Sequence, residues 1–371
     1  MTLSMEVTAR AGAARAGVIR TARGEVRTPC FMPVGTRGAV RTLSSADLAD
    51  LGVQIVLGNT YHLMLKPGAD VIGQLGGLHS FADWAGHVLT DSGGYQVFSL
   101  EPGGNVALDD DGVTFKSTYD GGTHRLTPEA AVGIQTLLGA DIQMVLDVCA
   151  PLPSPPAILR TAVDRTATWA ARARSTFLEL ARPELNQFGI VQGGTDLALR
   201  AESAQRTVAI GFDGYAVGGL SVGESRDLML ETLAATLPLL PDDAPRYLMG
   251  LGDPIGMVEA VALGIDLFDC VLPTRFARHG TILSNAGRYN LKRSENATAD
   301  RPLDDDCACV VCGRWSRAYL RHLLVVDEPT APRLLTLHNV WWTLRLVEEL
   351  RAAVQAGSLD QVRSRVAAAY E

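Results

Sequence analysis

The stretch 265-IDLFDCVLPTR-275 sets Asp269 within an apolar run of Ile265, Leu267, Phe268, Cys270, Val271 and Leu272, which reads as the end of a buried β-strand. A lone ionised carboxylate in apolar surroundings is costly, so its charge must be paired, protonated or put to use. One reading makes Asp269 a structural acid satisfied by backbone donors; the other makes it a working group. The rest of the chain has to decide between them.

Working outward, apolar β-rich runs recur at 29–33, 53–58, 87–91, 141–147, 187–192, 214–218, 246–250 and 265–270. Between them lie segments of helical period with recognisable starts, such as 127-TPEAAVGIQTLLGA-140, where Thr127 is suited to the N-cap and Pro128 to the first helical turn. Eight strands alternating with helices predict a parallel (β/α)8 barrel, of the TIM type, forming one catalytic domain over 1–371; a doubly wound open sheet is the runner-up. Two segments interrupt the alternation. Residues from about 99 to 126 carry the turn signals Asp111-Gly112 and Asp120-Gly121-Gly122 around a short β run and predict an inserted hairpin. Residues from about 276 to 340 are too long for a barrel loop and predict a small subdomain between strand eight and a closing helix at 338–357.

Composition narrows the functional class. The 371 residues are 47% hydrophobic, enough for a large core, and no apolar run reaches the roughly 18 residues of a membrane span. The N-terminal MTLSMEVTARAGAARAG lacks the apolar centre of a signal peptide, so a cytoplasmic protein is expected. A net charge of −8 argues against a generic nucleic-acid coat, yet residues 274–322 hold Arg275, Arg278, Arg288, Lys292, Arg293, Arg301, Arg314, Arg317 and Arg321 against five acids. That segment is a candidate polyanion-facing patch, although any one of these residues could equally belong to a solvated charged face.

On a barrel, strand ends converge on the face that carries active sites. Polar residues stand at these ends: Asn59, Asp91 with Ser92, Asp147, Gln192, Gly218 with Gly219, and Asp269. A purine such as guanine presents donors on one edge and acceptors on the other, which suits Asp147, Gln192 and the Gly219 N–H. Tyr95 and Met249 could cover the ring faces, with core packing the competing reading for Met249. Two further carboxylates suggest displacement at a sugar carbon: Asp269, in the apolar strand end, as nucleophile, and Asp91, before Ser92-Gly93-Gly94, as acid or base.

The metal signal is the most specific. Cys307-x-Cys309-x2-Cys312, with His338 further on, matches a closed tetrahedral Cys3His site and predicts structural zinc, Zn2+, against three free thiols. A catalytic zinc hydrolase is the rival class, and no HxH pair at a strand end supports it. Trp315, Tyr319 and His322 are spaced to share one helix face, either in the core or against a second subunit.

The ordered motifs TDSGGYQVFSL, GIVQGG, GGLSVGE, YLMGLGDP and FDCVLPTR, followed by the Cys3His set, resemble the tRNA-guanine transglycosylase family in its bacterial form, from about residue 25 to 340. The resemblance implies removal of guanine at the wobble position (position 34) of the tRNA anticodon loop and insertion of a 7-deazaguanine base, 7-aminomethyl-7-deazaguanine in bacteria, on the way to queuosine. It implies Asp269 as nucleophile on ribose C1′ and Asp91 as acid or base. Base contacts would come from Asp91, Ser92, Gly93, Gly94, Asp147, Gln192, Gly219 and Leu220, with Tyr95 and Met249 enclosing the ring. Gly250, Asp253, Thr274, Arg275 and Arg278 would contact tRNA. One structural Zn2+ per subunit on Cys307, Cys309, Cys312 and His338, and a homodimer, are also implied. Behind the Leu220 carbonyl, Glu224 would orient the peptide that meets the cationic aminomethyl group, and Cys149 and Val222 fit the bacterial pattern. One departure stands out: Asp147-Val148-Cys149 replaces the usual Asp-Glu-Cys, which bears on the choice of incoming base. A queuine-salvaging enzyme, a DNA-acting relative and a non-catalytic tRNA-binding subunit are the other readings, and the last should lack the nucleophile.

Overall fold

The protein is seen in a computed structural model that describes residues 3–99 and 106–371. Its first element is one that the sequence reading passed over. Strands β1 (Ser4–Ala11), β2 (Ala14–Thr21) and β3 (Gly24–Thr28) form an antiparallel sheet across the N-terminal end of the barrel. Arg15 of β2 is wholly buried, and its guanidinium donates to both oxygens of Asp266, at 2.9 and 2.5 Å, and to the carbonyls of Asp242 and Ala244. Asp266 is buried too and immediately precedes the last barrel strand, so this ion pair pins the sheet to the barrel floor.

Strands β4 (Cys30–Gly35), β5 (Ile55–Gly58) and β6 (His87–Thr90) begin the barrel. A three-stranded antiparallel meander of β7 (Val106–Leu108), β8 (Val113–Lys116) and β9 (Thr123–Leu126) follows, where a hairpin was expected. The third strand arises because the turn at Asp120-Gly121-Gly122 returns the chain to pair Phe115 with His124 and Val113 with Leu126. The expected insertion begins at 99, and its residues 100–105 lie outside the described residues.

Strands β10 (Ile142–Met144), β11 (Asn186–Val191), β12 (Gly214–Val217), β13 (Arg246–Leu248) and β14 (Leu267–Cys270) complete the barrel. The parallel ladder runs β4-β5-β6-β10-β11-β12-β13-β14 and closes where Leu267 pairs with Cys30 and Asp269 with Met32. The architecture is therefore the expected α/β barrel, and the open sheet is excluded. Each expected run overlaps a barrel strand, but several strands stop short: β13 ends at Leu248, before Met249 and Gly250, which line the cavity at the barrel mouth, and β10 ends at Met144, three residues before Asp147, which lines it too.

Helices cover the outside as expected. Thr127 caps the Pro128–Leu138 helix through the Ala130 N–H, with Pro128 in its first turn. The closing helix runs Thr330–Ala356, longer than expected at its N-terminal end, and a final helix, Leu359–Tyr370, packs behind it. After β14 come the Leu272–His279 helix, a short Thr281–Ile282/Tyr289–Asn290 ribbon, the cysteine segment and the Arg317–Val325 helix. The shared helix face expected for Trp315, Tyr319 and His322 is not formed. Ser316 is the N-cap of the Arg317–Val325 helix, so Trp315 lies before it and packs partly buried against the core, leaving only exposed Tyr319 and His322 on the helix.

Candidate active site

The strand ends converge on a cavity of about 390 Å³ lined by Asp91, Asp147, Gln192, Gly219, Met249 and Asp269, among others. Asp269 is held by one oxygen. Its Oδ1 accepts from the Tyr247 hydroxyl at 2.5 Å and from the Gly250 N–H at 2.7 Å, while Oδ2 makes no hydrogen bond to another described residue. Gly250 delivers that N–H from a left-handed conformation, φ +76°. Burial raises the Asp269 pKa, and the two donors oppose the rise.

Asp91 is held differently. Its carboxylate accepts from Asn59 Nδ2 at 2.8 Å, the Thr60 N–H at 2.9 Å and the Gly93 N–H at 3.1 Å. Gly93 has φ +81°, and a Cβ there would meet Tyr61 N at 3.2 Å, so glycine is needed to aim this N–H. Burial first, then the nearby charges of Asp269 and Asp147, push Asp91 up to about 7. Asp147, also pushed up by burial, to about 6, accepts from Gln192 Nε2 at 2.7 Å. Ser92 is buried with its Oγ accepting from the Gly94 N–H, and a Cβ at Gly94 would come within 3.1 Å of the Asp147 carbonyl oxygen.

On the far wall Gly219 adopts φ +64°, and a Cβ there would lie 2.3 Å from Gln192 Oε1. Glu224 accepts from the Ser221 N–H and, at 3.1 Å, from the Val222 N–H. Because Ser221 N belongs to the Leu220–Ser221 peptide, this contact turns the Leu220 carbonyl away from Glu224. Exposed Tyr95 and half-buried Met249 both line the cavity.

Val148 is absent from the cavity lining. It is 9% exposed, sits in an apolar cluster with Leu146, Leu159 and Val163, and its N–H donates to Thr166 Oγ1. Val148→Glu is therefore expected to change affinity for the incoming base less than about tenfold while destabilising the fold by about 1–3 kcal/mol, the cost of a polar group buried without partners. Thermal melts alongside base titrations check this. A large affinity change at unaltered stability would place position 148 at the base.

Of the residues expected to contact tRNA, Gly250 is committed through its N–H to Asp269, and Asp253 caps the Pro254–Leu263 helix and pairs with Arg226 at 3.3 Å. Thr274 is buried, with its hydroxyl on the Val271 carbonyl. Arg275 is exposed and Arg278 half-buried, and neither has an ion-pair partner among the described residues. Burial lowers the Arg278 pKa, and the charges of Arg41 and Arg275 lower it further. The basic segment is thus narrower than its composition suggested. Arg301 pairs with Asp305, Arg317 donates to the Pro302 and Leu303 carbonyls, and Arg321 to those of Lys292 and Arg293, while Arg41 joins the patch from the β4 side.

Cys307, Cys309, Cys312 and His338 come together with all four ligand atoms within 4.8 Å. His338 Nδ1 lies 3.6, 3.4 and 3.3 Å from the three sulfurs, and Nε2 lies 2.8 Å from the Leu283 carbonyl. The carbonyl requires a proton on Nε2, which leaves Nδ1 as a lone pair facing three thiols. Tetrahedral bonds of about 2.3 Å to sulfur and 2.0–2.1 Å to nitrogen put S and N about 3.5 Å apart, so the spacing fits a metal ion.

Sequence reasoning did not pick out Tyr247, Thr60 or Arg200. Tyr247 sits inside a strand run, and its role depends on a partner in the next strand.

The chain matches the family described as Queuine tRNA-ribosyltransferase over residues 10–371. It is 49% identical to the queuine tRNA-ribosyltransferase of Symbiobacterium thermophilum over 354 residues, 95% of this chain and 87% of the relative. The protein of the same name from Gluconacetobacter diazotrophicus is 50% identical over 351 residues, covering 95% and 90%. That from Helicobacter pylori is 48% identical over 342 residues, covering 92% and 91%. With the closed barrel, the paired carboxylates at its mouth and the Cys3His cluster, this extent of likeness establishes the chain as a member of the queuine tRNA-ribosyltransferase family.

Proposed function

We propose that this enzyme exchanges guanine at the tRNA wobble position for 7-aminomethyl-7-deazaguanine by double displacement. The observation that carries the proposal is the Asp269 carboxylate, tethered through Oδ1 alone in a cavity that it shares with Asp91 and the purine-sized donor and acceptor set of Asp147, Gln192 and Gly219. Oδ2 attacks C1′, the bond to guanine N9 breaks, and protonated Asp91 returns a proton to the departing base. The ribosyl ester on Asp269 is then attacked by N9 of the incoming base. Asp91, now ionised, takes the N9 proton, and the carboxylate of Asp269 is released. Two inversions leave the configuration at C1′ unchanged.

The electrostatics support this alternation. The charge of Asp269 helps to hold Asp91 up near 7, and esterification removes that charge, so Asp91 ionises more readily when a base is needed. The first half-reaction needs protonated Asp91, and the second needs it ionised. Accordingly, kcat/KM for tRNA is expected to fall as pH rises through about 7, and kcat/KM for the incoming base to rise with pH on the acid side of about 7 and then level off. Parallel profiles for the two substrates would remove Asp91 from this role.

Exchange of labelled guanine into unmodified tRNA tests the function. Incorporation into duplex DNA in its place would favour the DNA-acting reading. Arg275, Arg278 and Arg41, without ion-pair partners among the described residues, form a cationic patch suited to the anticodon backbone. Val222 lines the cavity, and its bulk favours the aminomethyl base over queuine, whose cyclopentenediol needs more room. Among the residues described, no helix is long and apolar enough to cross a membrane. A cytoplasmic homodimer, with one structural Zn2+ per subunit on Cys307, Cys309, Cys312 and His338, completes the proposal. The ion would cross-link the subdomain to the closing helix.

A further inference from the structure

Arg200 lies in the Leu197–Ile210 helix, 1% exposed, with no ion pair among the described residues. Burial lowers its pKa to about 10, which leaves it a cation at neutral pH. A buried guanidinium without a carboxylate in direct contact is expensive; the nearby charge of Glu224 offsets part of that cost, and the donors go to main-chain carbonyls. Nε donates to Gly194 at 2.7 Å, Nη1 to Val191 at 2.9 Å and Nη2 to Gly219 at 3.2 Å.

Those carbonyls belong to two different strand-end loops. The Val191 carbonyl shares a peptide with the Gln192 N–H, which donates to Ser203 Oγ at 2.9 Å, so one helix grips both edges of the peptide that launches Gln192. The Gly219 carbonyl shares a peptide with the Leu220 N–H, and the next peptide is held by Glu224. Gln192 and Gly219 also touch, so closely that no Cβ fits between them. One planar fork therefore ties the strand end that launches Gln192 to the Gly219 main chain, gripping it at the carbonyl one peptide beyond the Gly219 N–H.

We infer that Arg200 is a positioning residue for base selection, holding the Gln192 amide and the Gly219 N–H at the separation that reads a six-position carbonyl oxygen on a purine. The inference rests on the proposed base exchange and adds to it a determinant that touches no substrate. Lysine could keep the charge, but its single ammonium cannot span three fixed carbonyls.

The test is competition against labelled guanine incorporation into tRNA, using unlabelled guanine and 2,6-diaminopurine, which carries an amine where guanine carries the oxygen. For Arg200→Lys, the guanine inhibition constant is expected to rise about tenfold or more and that of diaminopurine to change less than about threefold, because only the oxygen-reading pair is displaced. Ser203→Ala, which frees one edge of the Gln192 peptide and keeps every charge, should shift the ratio in the same direction by a smaller factor. It serves as the reporter if Arg200→Lys does not fold. A merely structural Arg200 would lower the amount of active enzyme and leave the ratio of the two constants untouched. An unchanged ratio in the variant that folds overturns the inference and leaves the exchange reaction standing. A wild-type enzyme that incorporates no guanine overturns both.

Discussion

Asp269→Asn is expected to lose exchange activity by about four powers of ten or more while binding tRNA with nearly wild-type affinity. The amide keeps the shape of the carboxylate and can still accept through its oxygen from the Tyr247 hydroxyl and the Gly250 N–H, so local packing should survive. What it lacks is a nucleophilic oxygen, and without one the covalent route is closed. Wild-type protein mixed with tRNA and a poor incoming base should give a denaturant-resistant adduct on a denaturing gel, and the variant none. An adduct that persists in Asp269→Asn would move the nucleophile elsewhere, and Asp91, which three donors hold at the cavity wall, would be the first place to look.

Removal of the proposed metal ion should have the second largest effect. Structural zinc contributes about 10–16 kcal/mol in small zinc-finger peptides, and here the four ligands tie the segment after β14 to the closing helix. Cys307, Cys309 and His338 are buried in a cluster with Leu303, Val311, Leu320 and Leu335, so loss of the ion leaves thiols and an imidazole crowded inside an apolar core. Chelation, or His338→Ala, is expected to expose the cysteine segment to proteolysis, to lower the melting temperature and to weaken the proposed dimer, for which exposed Tyr319 and His322, on the helix just beyond the cysteines, are candidate contacts. Elemental analysis should give one zinc per chain. A chelated protein that keeps its melting temperature, its assembly and its activity would show that the cluster is three thiols and a histidine and nothing more.

How far such residues could be read in advance depended on how local their physics is. The β10 region was visible because 141-DIQMVLD-147 is a short apolar run bounded by acids, and the Thr127-Pro128 helix start because capping involves only neighbours. Strand β1 was equally legible, since Met5, Val7, Ala9 and Ala11 alternate with polar residues facing out, but that signal went unused. Its partner β2 was not legible: Arg15 stands among buried residues, and its burial is tolerable because of Asp266, Asp242 and the Ala244 carbonyl, all remote in sequence. Trp315 shows the converse failure, where a helical spacing was real but Ser316 capped the helix one residue later.

The sequence by itself determined the alternation that closes into a barrel, the polar residues at its strand ends and the Cys3His set, because side-chain period and ligand spacing are properties of short stretches of chain. Tertiary structure alone decided which Asp269 oxygen is left without a hydrogen bond to another described residue, why Asp91 is pushed up to about 7, that Val148 faces an apolar cluster and not the cavity, and that Arg200 grips two strand ends at once. Each of these depends on burial or on the direction of a carbonyl or N–H. Those are set by residues that only folding brings within a few ångströms, where the desolvated interior makes a misplaced charge or an unpaired donor costly.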